Sequence, residues 1–432
     1  MKTTIAVLNK KGANTTLSSH DKQHCVDLGD VIIFFGGRLY SPTSGASGRE
    51  IIAQRLQKAD HLKASETFLK EVDGDFTFII AERERIIAGR DTVGVQPLYY
   101  GENKCFAALA SNRKALWPLV DEARSFPPGH LAFVTRAGFK FKPVKTLVYS
   151  EPKPVTMEKA AETLQKMLEY SVRSRISGVK EVAVPFSGGL DSSVVAFLAK
   201  KCQVDVHLIH VSLENQPETE EAKKAADMLN LPLQVHLFRE ADVEKVVSKV
   251  VELIEEADPV QTSIGVPFYW AAKKTAESGF KVLLAGQGAD ELFGGYQRYV
   301  TAYLSHGAEK VRRAMFNDVV KIHESNLERD MKICDFHDVE LRLPFGAYQI
   351  VEFAIALPIE LKIEKRAASL RKLVLRKVAE NAGLPTSITE KPKKAVQYST
   401  GINKALKKTA KKQKATVAEY INKLFLSQIT RN

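Results

Sequence analysis

Short apolar runs separated by turn residues fill the first third of the chain. The runs are bounded by Gly, Pro and Asp, and they comprise VIIFFGG (31–37), FTFIIAE (76–82), RIIAG (85–89), PLYYGE (97–102) and HLAFVT (130–135). Runs of this length, rich in β-branched and aromatic side chains, are typical of strands. Because helical segments lie between them, residues 1–150 are predicted to form one α+β domain.

A polar segment with two prolines, SEPKPV at 150–155, ends this pattern. Proline disfavours the continuation of a helix or a central strand, so such a segment is typical of a linker. Immediately behind it, apolar residues recur at helical spacing from Met157 to Val172. We therefore place a domain boundary near residue 150 and assign residues 151–432 to a second domain.

Strands and helices alternate through the middle of the chain. Apolar runs such as EVAVPF (181–186), VDVHLIHV (204–211) and KVLLAG (281–286) are separated by helical segments. From about residue 297 the pattern is helical to the end. The alternation predicts an α/β domain with a parallel sheet covered by helices, followed by a helical C-terminal part.

Composition narrows the class of protein. Of the 432 residues, 44% are hydrophobic and 26% are charged. No apolar run approaches the ~18 residues of a membrane span, and the N-terminus has no signal-peptide pattern. The four cysteines have no paired spacing, which argues against disulfides and structural zinc. We expect a soluble, cytoplasmic protein with no membrane partner.

The formal net charge of +12 is concentrated at the C-terminus. Residues 361–432 hold 18 Lys plus Arg against 4 Asp plus Glu, which leaves a net charge of −2 on the rest of the chain. The lysine-rich run from Lys404 predicts a weakly amphipathic helix, and it lacks the interleaved aromatic residues that stack on bases. A solvated helix face is the favoured interpretation, and we do not expect a nucleic-acid partner.

A Gly- and Ser-rich turn, SGGLDSS, lies between the first strand of the second domain and a helix. Backbone N–H groups and the helix dipole at such a turn favour phosphate. The candidate phosphate-binding residues are Ser187, Gly188, Gly189, Asp191, Ser192 and Ser193. Phosphate would repel Asp191 unless a cation intervenes, so Mg²⁺ is implied. The alternative is an ordinary tight turn with a serine cap.

A second loop, GQGADELFGGY at 286–296, follows the strand KVLLAG. It combines four glycines with the acids Asp290 and Glu291 directly behind an apolar strand. A solvated turn explains the glycines and the acids separately, but it does not explain their combination at this place. We therefore expect the loop to bind a ligand that another part of the sequence has to identify.

Together, SGGLDSS and GQGADELFGGY resemble the synthetase domain of the asparagine synthetase family, and SGGLDSS alone resembles the pyrophosphate loop of N-type ATP pyrophosphatases. The resemblance implies that both loops meet over ATP and that Asp191 and Asp290 hold Mg²⁺. It also implies that Pro185, Val211 and Gly286 lie near the adenosine.

Two later segments resemble the same family. Residues 326–345 end in a Val-Glu-x-Arg-x-Pro-Phe pattern that contains Glu340, and residues 391–401 resemble a late lysine loop. The resemblance implies that Lys393 stabilises charge on the phosphates and that Glu340 orients or assists the reaction. Taken singly, Lys393 could face solvent and Glu340 could form an ion pair with Arg342.

The second loop departs from the family at Gln287, where asparagine synthetases usually carry Glu. An amide cannot accept a proton near neutral pH, so Gln287 is not a general base. It can still orient a substrate through hydrogen bonds. Neutral ammonia is already nucleophilic and AMP is a good leaving group, so Gln287 is compatible with the family reaction. The identity of the carboxylate substrate that accepts the AMP is left open.

The first domain resembles the glutaminase half of the same family. RDTVGVQPLYY at 90–100 matches an Arg-Asp-x-x-Gly-x-x-Pro-Leu-Tyr-Tyr signature. The resemblance implies an N-terminal-nucleophile fold, an αββα sandwich in which two sheets lie between helices.

The catalytic groups of that glutaminase are nevertheless missing from the sequence. Residue 2 is Lys instead of the nucleophilic Cys, and Thr3 or Thr4 could serve only after unusual processing. The oxyanion Asn is replaced by Gly36, and the aspartate that would bind glutamine aligns with Gly48. We expect an inactive glutaminase-like domain. Cys25 as a relocated nucleophile is the alternative.

We predict an ammonia-dependent, AMP-forming ligase that adenylates the side-chain carboxylate of aspartate and then amidates it. The expected partners are ATP, Mg²⁺, aspartate and ammonia, with glutamine as an alternative nitrogen donor. Two other hypotheses remain: amide formation on another carboxylate, and an ATP-binding regulatory pseudoenzyme with a basic tail. The sequence leaves the oligomeric state open, with a homodimer as one alternative.

Overall fold

The computed structural model describes residues 3–12, 14–20, 22–41, 47–57, 60–366, 370–391 and 400–429. The chain divides into two compact units, Met1–Val148 and Tyr149–Asn432. Each unit has its own buried core and is described by itself.

The first unit is mainly antiparallel β structure. Its strands are β1 (Thr4–Asn9), β2 (Asn14–Ser19), β3 (Cys25–Asp27), β4 (Val31–Ser41), β5 (Asp73–Glu82), β6 (Ile86–Arg90), β7 (Tyr99–Glu102), β8 (Phe106–Ala110), β9 (Arg124–Ser125), β10 (His130–Thr135) and β11 (Gly138–Pro143). Its helices are α1 (Gly48–Leu56) and α2 (His61–Glu71).

Two sheets pack face to face in this unit, with strand orders β2-β1-β8-β7-β9 and β11-β10-β6-β5-β4-β3. Leu8, Leu109 and Ile79 belong to the buried cluster between them. The other face of the six-stranded sheet is covered by α1 and α2, where Phe68 packs against Phe78. Two sheets and one helical layer are therefore present as expected.

The outer face of the five-stranded sheet has a different cover. Leu116 and Val120 pack on Tyr99 and Ala108 there, and they belong to a segment that forms turns between β8 and β9. Among the described residues of this unit, no second helical layer is present. The expected αββα sandwich is thus reduced to three regular layers.

The second unit alternates strands and helices before it becomes helical. Its strands are β12 (Glu181–Pro185), β13 (Asp205–Leu213), β14 (Leu233–Phe238), β15 (Val282–Leu284) and β16 (Glu340–Arg342). Its helices are α3 (Met157–Arg175), α4 (Leu190–Lys201), α5 (Glu218–Leu229), α6 (Glu240–Ile254), α7 (Pro259–Glu277), α8 (Ala289–Phe293), α9 (Gln297–Val320), α10 (Glu328–Phe336), α11 (Tyr348–Ala356), α12 (Leu373–Ala382), α13 (Thr386–Thr389), α14 (Ile402–Lys412) and α15 (Val417–Ile429).

The five strands form one parallel sheet in the order β14-β13-β12-β15-β16. The predicted parallel sheet is confirmed. Strand β16 was not expected, because a three-residue strand inside a helical stretch leaves no periodic signal. A π-helical turn, His323–Leu327, directly precedes α10.

The lysine-rich tail forms two helices instead of the one predicted from Lys404. Lys414 adopts a positive φ of 53° and separates α14 from α15. Leu406 and Ala410 are buried, while Lys408 forms a 2.5 Å ion pair with Glu240 of α6. The tail therefore packs by its apolar face and shares part of its charge with acids of the same unit.

Within the described ranges, no helix combines the length and the apolar composition needed to cross a membrane.

Lys362 is a buried lysine in the helical part of the second unit. Its Nζ donates a 2.5 Å hydrogen bond to the Ala354 carbonyl. A small cavity beside it is lined by Glu291, Arg312 and Phe316, among others. Burial, and secondarily the charge of Arg312, lowers the pKa of Lys362 from 10.5 to about 7.

We expect Lys362→Met to stabilise the protein at neutral pH. Between the folded pKa of about 7 and the unfolded value of 10.5, only the unfolded chain holds the proton, so the wild type gains stability as pH rises. The advantage of the variant should therefore shrink by roughly 1 kcal/mol per pH unit between pH 7 and 10. Chemical denaturation at several pH values measures it.

Lys332→Met is the matched control for this prediction. Lys332 is also buried, but it pairs with Glu255 at 3.2 Å. Its removal takes a cation away from a buried carboxylate and should destabilise the protein across the same pH range. An equal response of both variants would contradict the assignment.

Candidate active site

The site lies where the order of the parallel strands reverses direction. β12 is the first strand of the sheet in sequence, and its neighbours are β13 on one side and β15 on the other. Loops that follow such adjacent strands diverge to opposite faces, which opens a crevice at the carboxyl edge. SGGLDSS follows β12 and GQGADELFGGY follows β15, so the fold brings the two predicted loops together.

The first loop is shaped as an anion cradle. Gly188 adopts a positive φ of 66°, and Gly189 is the N-cap of the twelve-residue helix α4. The Ser187 hydroxyl accepts a 3.3 Å hydrogen bond from the Gly189 N–H, and the Ser192 hydroxyl donates to the Gly189 carbonyl at 3.3 Å. The Ser193 hydroxyl is buried and has no hydrogen-bond partner among the described residues.

A buried histidine fixes the approach to this loop. His210 of β13 uses Nδ1–H to bond the Phe186 carbonyl at 2.9 Å, and its Nε2 lies 3.2 Å from the Thr219 hydroxyl. Burial lowers the pKa of His210, although its hydrogen bond to Phe186 acts in the opposite direction. A neutral ring is consistent with one donor and one acceptor nitrogen.

Glycines let the second loop approach the first. A Cβ on Gly286 would lie 3.1 Å from the Asp191 Cβ, so the two loops touch at that position. Gly288 and Gly294 adopt φ values of 95° and 76° at the two ends of α8. A Cβ on Gly295 would overlap the Asp290 carboxylate and the Lys372 side chain. Steric and conformational constraints therefore explain why glycine occupies these positions of the second loop.

The two predicted metal ligands converge on a lysine that was not predicted. Lys372 Nζ lies 2.6 Å from both carboxylate oxygens of Asp191 and 2.6 Å from Asp290 Oδ1. Lys372 is 2% exposed. The two carboxylates are therefore no further apart than twice that distance, and they share one cationic centre.

This arrangement fits a magnesium ion bound by both carboxylates. Mg²⁺ prefers oxygen ligands and usually takes one or two carboxylates, completing its shell with phosphate and water. In the described residues no group of three or more His, Cys, Asp or Glu side chains could hold a metal ion. The remaining ligands would therefore have to come from a nucleotide and water, and Lys372 would have to yield its place.

Lys372 escaped prediction because its partners are distant in sequence. It precedes α12 in a left-handed conformation with a φ of 61°, and the run around it resembles an ordinary amphipathic helix. A buried lysine would have indicated a functional role, but the sequence alone does not show that the tertiary fold buries Lys372.

An open pocket extends from Asp191 and Lys372 along the first loop. It encloses about 550 Å³ of space that is continuous with the solvent. Besides loop residues, its lining includes Glu218, Glu221, Arg376 and Lys391. Lys391 Nζ donates to the Gly188 carbonyl at 3.2 Å and pairs with Glu221 at 2.9 Å.

Arg376 holds the end of the late lysine segment at this pocket. It donates from Nη2 to the Lys391 carbonyl at 3.0 Å and from Nε to the Arg371 carbonyl at 2.6 Å. The segment that begins at Lys391 therefore starts beside the first loop. Lys393 itself lies outside the described residues.

The positions expected near adenosine lie at the same edge of the sheet. Pro185 ends β12 and is paired with Ile209, and Val211 lies two residues further along β13. Both are partly exposed. Their contact with a nucleoside stays a prediction.

Glu340 does not join this cluster. It lies at the amino end of β16, level with Val282, whereas Asp191 and Asp290 follow the carboxyl ends of their strands. Its two carboxylate oxygens accept hydrogen bonds from Arg342 Nε at 3.0 Å and Nη2 at 2.8 Å. The ion pair with Arg342 is therefore present, and the catalytic role of Glu340 stays a prediction.

Gln287 and Glu291 tie the second loop to the segment 323–336. Gln287 Nε2 donates a 3.0 Å hydrogen bond to Asp330, and Glu291 Oε1 accepts hydrogen bonds from Asn326 at 2.6 Å and Tyr296 at 2.5 Å. Burial raises the pKa of Glu291, and the neighbouring charge of Asp290 raises it further. Asp330 and Asn326 were not predicted as site residues.

Comparison with known proteins agrees with this architecture. Residues 163–310 and 300–432 match the family described as asparagine synthase, and residues 15–118 match the glutamine amidotransferase domain. A putative asparagine synthetase (glutamine-hydrolyzing) 1 from Methanocaldococcus jannaschii is 34% identical over 407 residues, which cover 82% of this chain and 75% of that protein.

A second relative is the asparagine synthetase (glutamine-hydrolyzing) of Sandersonia aurantiaca. It is 28% identical over 429 residues, which cover 92% of this chain and 78% of that protein. Among solved structures, NMN synthetase from Francisella tularensis is 13% identical over 55% of this chain and 75% of its own, with a TM-score of 0.30. That score is too low to carry an argument.

The matches define a carbon–nitrogen ligase domain preceded by an amidotransferase-type domain. The chain belongs to the asparagine synthetase family. The predicted family is confirmed, and the predicted enzyme class is confirmed with it.

We expect Gly295→Ala to break the contact between Asp290 and Lys372. The new methyl group would overlap both side chains, so the variant should lose about 3 kcal/mol of unfolding free energy through overpacking and a broken buried ion pair. Gly279→Ala is the control, because its φ of 87° is strained but its Cβ meets nothing within 4 Å. That control should cost about 1 kcal/mol. Urea denaturation measures both, and equal losses would contradict the prediction.

Proposed function

We propose that the second unit binds Mg·ATP at the carboxyl edge of its sheet and transfers AMP to the side-chain carboxylate of aspartate. Ammonia then attacks the acyl adenylate, and asparagine, AMP and pyrophosphate are released. The observation that carries the proposal is the convergence of Asp191 and Asp290 on one cationic centre beside a phosphate-type loop. Family membership supports the reaction class.

Different groups of the second unit are proposed to bind the phosphate oxygens and the cation. The N–H groups of Gly188 and Gly189 and the amino end of α4 bind phosphate oxygens, with the hydroxyls of Ser187, Ser192 and Ser193 as further donors. Asp191 and Asp290 would hold Mg²⁺, which neutralises charge between the α-phosphate and the departing pyrophosphate when it is bound.

Lysines supply the remaining positive charge. Lys372 now lies between the two carboxylates; if a cation took its place there, its ammonium would be available to a phosphate oxygen. Lys391 already contacts the first loop, and Lys393, two residues on, is proposed to stabilise the transition state in the same region. Pro185, Val211 and Gly286 are proposed to border the adenosine.

Gln287 is proposed to take part in the second half-reaction. Its amide cannot remove a proton, so it acts by hydrogen bonding alone. Ammonia needs no base to attack, since it is neutral and nucleophilic, and the proton that it loses afterwards can pass to water.

Free ammonia is the proposed nitrogen source. In the first unit, Gly48 lies against the Phe35 ring so closely that any Cβ there would overlap the ring, and Phe35 stacks on Phe76 within the core. A glutamine-binding aspartate therefore has no space at that position. Cys25 lies in the edge strand β3 and packs on the core between the sheets, which favours a structural role.

A second candidate is the same chemistry on another carboxylate. Gln287 in place of an acid favours it, because an altered side chain beside the acceptor could accompany an altered substrate. The test is an amino-acid screen for conversion of ATP to AMP with ammonia. Aspartate-dependent turnover supports the first candidate, and turnover with a different carboxylate supports the second.

We expect Asp191→Asn and Asp290→Asn each to reduce AMP formation by at least about 100-fold, because each removes a carboxylate that shares the cation. Pyrophosphate release in the presence of aspartate and ammonia measures it. Asp205→Asn is the control, since Asp205 starts β13 at the opposite edge of the sheet. Wild-type turnover in either site variant would refute the assignment.

We also expect ammonium to support AMP formation and glutamine not to support it. With glutamine, the rate should equal that of a blank that contains no nitrogen donor. Cys25→Ser should leave the ammonium rate unchanged. If glutamine supports turnover in the wild type and not in Cys25→Ser, the relocated-nucleophile alternative is correct instead.

A further inference from the structure

Asp330 is a buried acid that points at the Gln287 amide. It lies on α10, is 0% exposed, and its Oδ2 accepts a 3.0 Å hydrogen bond from Gln287 Nε2. A carboxylate can only accept hydrogen bonds, whereas a glutamine amide has a donor end and an acceptor end. The carboxylate therefore dictates which end of Gln287 faces it.

Arg329 holds this acid in place. Its Nε and Nη2 donate to Asp330 Oδ1 and Oδ2 at 2.7 and 3.1 Å, a two-point pairing that fixes the plane of the carboxylate. Arg329 Nη1 also donates to Gln261 Oε1 at 2.6 Å, and Gln261 Nε2 donates to the Ser325 carbonyl at 2.5 Å. Hydrogen bonds thus connect Gln287, through Asp330 and Arg329, to Gln261 on α7 and from there to the backbone of the π-helical turn.

The consequence falls on the other end of the amide. With one Nε2–H bonded to Asp330, the opposite end of the amide, the carbonyl Oε1, faces away from the carboxylate, and none of the described residues bonds to it. The second N–H of Nε2 stays on the Asp330 side of the amide. Gln287 directly follows Gly286, which lies against Asp191. The second loop therefore presents a hydrogen-bond acceptor beside the proposed acyl-transfer site.

We propose that Asp330 is a positioning residue, which orients Gln287 so that Oε1 accepts a hydrogen bond from the attacking ammonia. This inference rests on the proposed function. As the nitrogen lone pair forms the C–N bond, positive charge develops on nitrogen and its N–H becomes a stronger donor. The carbonyl oxygen stabilises that charge until the C–O bond to AMP breaks and the extra proton leaves to water.

The competing explanation is that Asp330 serves only as the buried partner of Arg329. Loss of a buried acid would then reduce stability without selecting one half-reaction. Glu255→Gln is the matched control, because Glu255 is also buried and pairs with Lys332, two residues from Asp330 on the same helix. It does not bond to Gln287.

The first experiment compares Asp330→Asn with this control. An asparagine can accept or donate, so it no longer dictates the Gln287 orientation. We expect the KM for ammonium to rise about tenfold, the value of one hydrogen bond, while aspartate-dependent ATP–pyrophosphate exchange stays within about twofold of the wild type. Equal effects of Asp330→Asn and Glu255→Gln on both activities would overturn the proposal.

The second experiment exchanges the two groups. Gln287→Glu alone places a second carboxylate against that of Asp330, so this variant should lose ammonium-dependent turnover. In the double variant Q287E/D330N, the new amide at 330 can donate to the new carboxylate at 287, which again leaves an acceptor oxygen for ammonia. The double variant should be more active than either single variant. If it is no better than the worse single variant, the donor end of Gln287 is the functional one and the proposal fails.

A third measurement does not depend on turnover. In protein labelled with ¹⁵N-glutamine, the side-chain NH₂ signal of Gln287 is identified by its loss in Gln287→Glu. It should move in Asp330→Asn and stay in Glu255→Gln. An unmoved signal contradicts the orientation. An inactive wild type with a signal that moves would refute the proposed function while retaining the positioning contact.

Discussion

The ammonium of Lys372 between Asp191 and Asp290 is the interaction on which the rest of this site depends. Two carboxylates in a partly dehydrated crevice repel each other unless a cation lies between them. Lys372 provides that cation, and its own burial is tolerable only because both acids face it. The steric gap at Gly295 and the close approach at Gly286 both serve this contact.

The sheet explains why these three residues meet. Asp191 and Asp290 follow adjacent parallel strands, so their loops share one edge, while Lys372 enters from the helical part that covers that edge. The resemblance of the two loops to the asparagine synthetase family pointed to the first two, and for Asp191 the chemistry of a Gly- and Ser-rich turn between a strand and a helix pointed the same way. No local pattern indicates which lysine a distant fold will bury.

Other differences between prediction and structure have similar causes. The sequence motif identifies Glu340 as a candidate residue, but only the register of β16 shows that Glu340 lies at the amino end of a strand. Asp330 and Arg329 resemble surface charges of an amphipathic helix until the packing against Gln261 is known. The expected second helical layer of the first unit is absent from the described residues because Pro118 interrupts the segment 111–123, whose apolar residues otherwise have helical spacing, and the segment covers the sheet as turns instead.

The distance in sequence between Lys372 and its two partners has a further consequence for how the site forms. Its partners precede it by 181 and 82 positions in the chain, so no short fragment contains the complete ion cluster. Such long-range contacts form late, after the sheet has closed its loops. The pocket beside this cluster therefore forms only when the tertiary structure of its unit is complete. Any ligand that recognises it binds the fully folded chain and shifts the folding equilibrium toward that state.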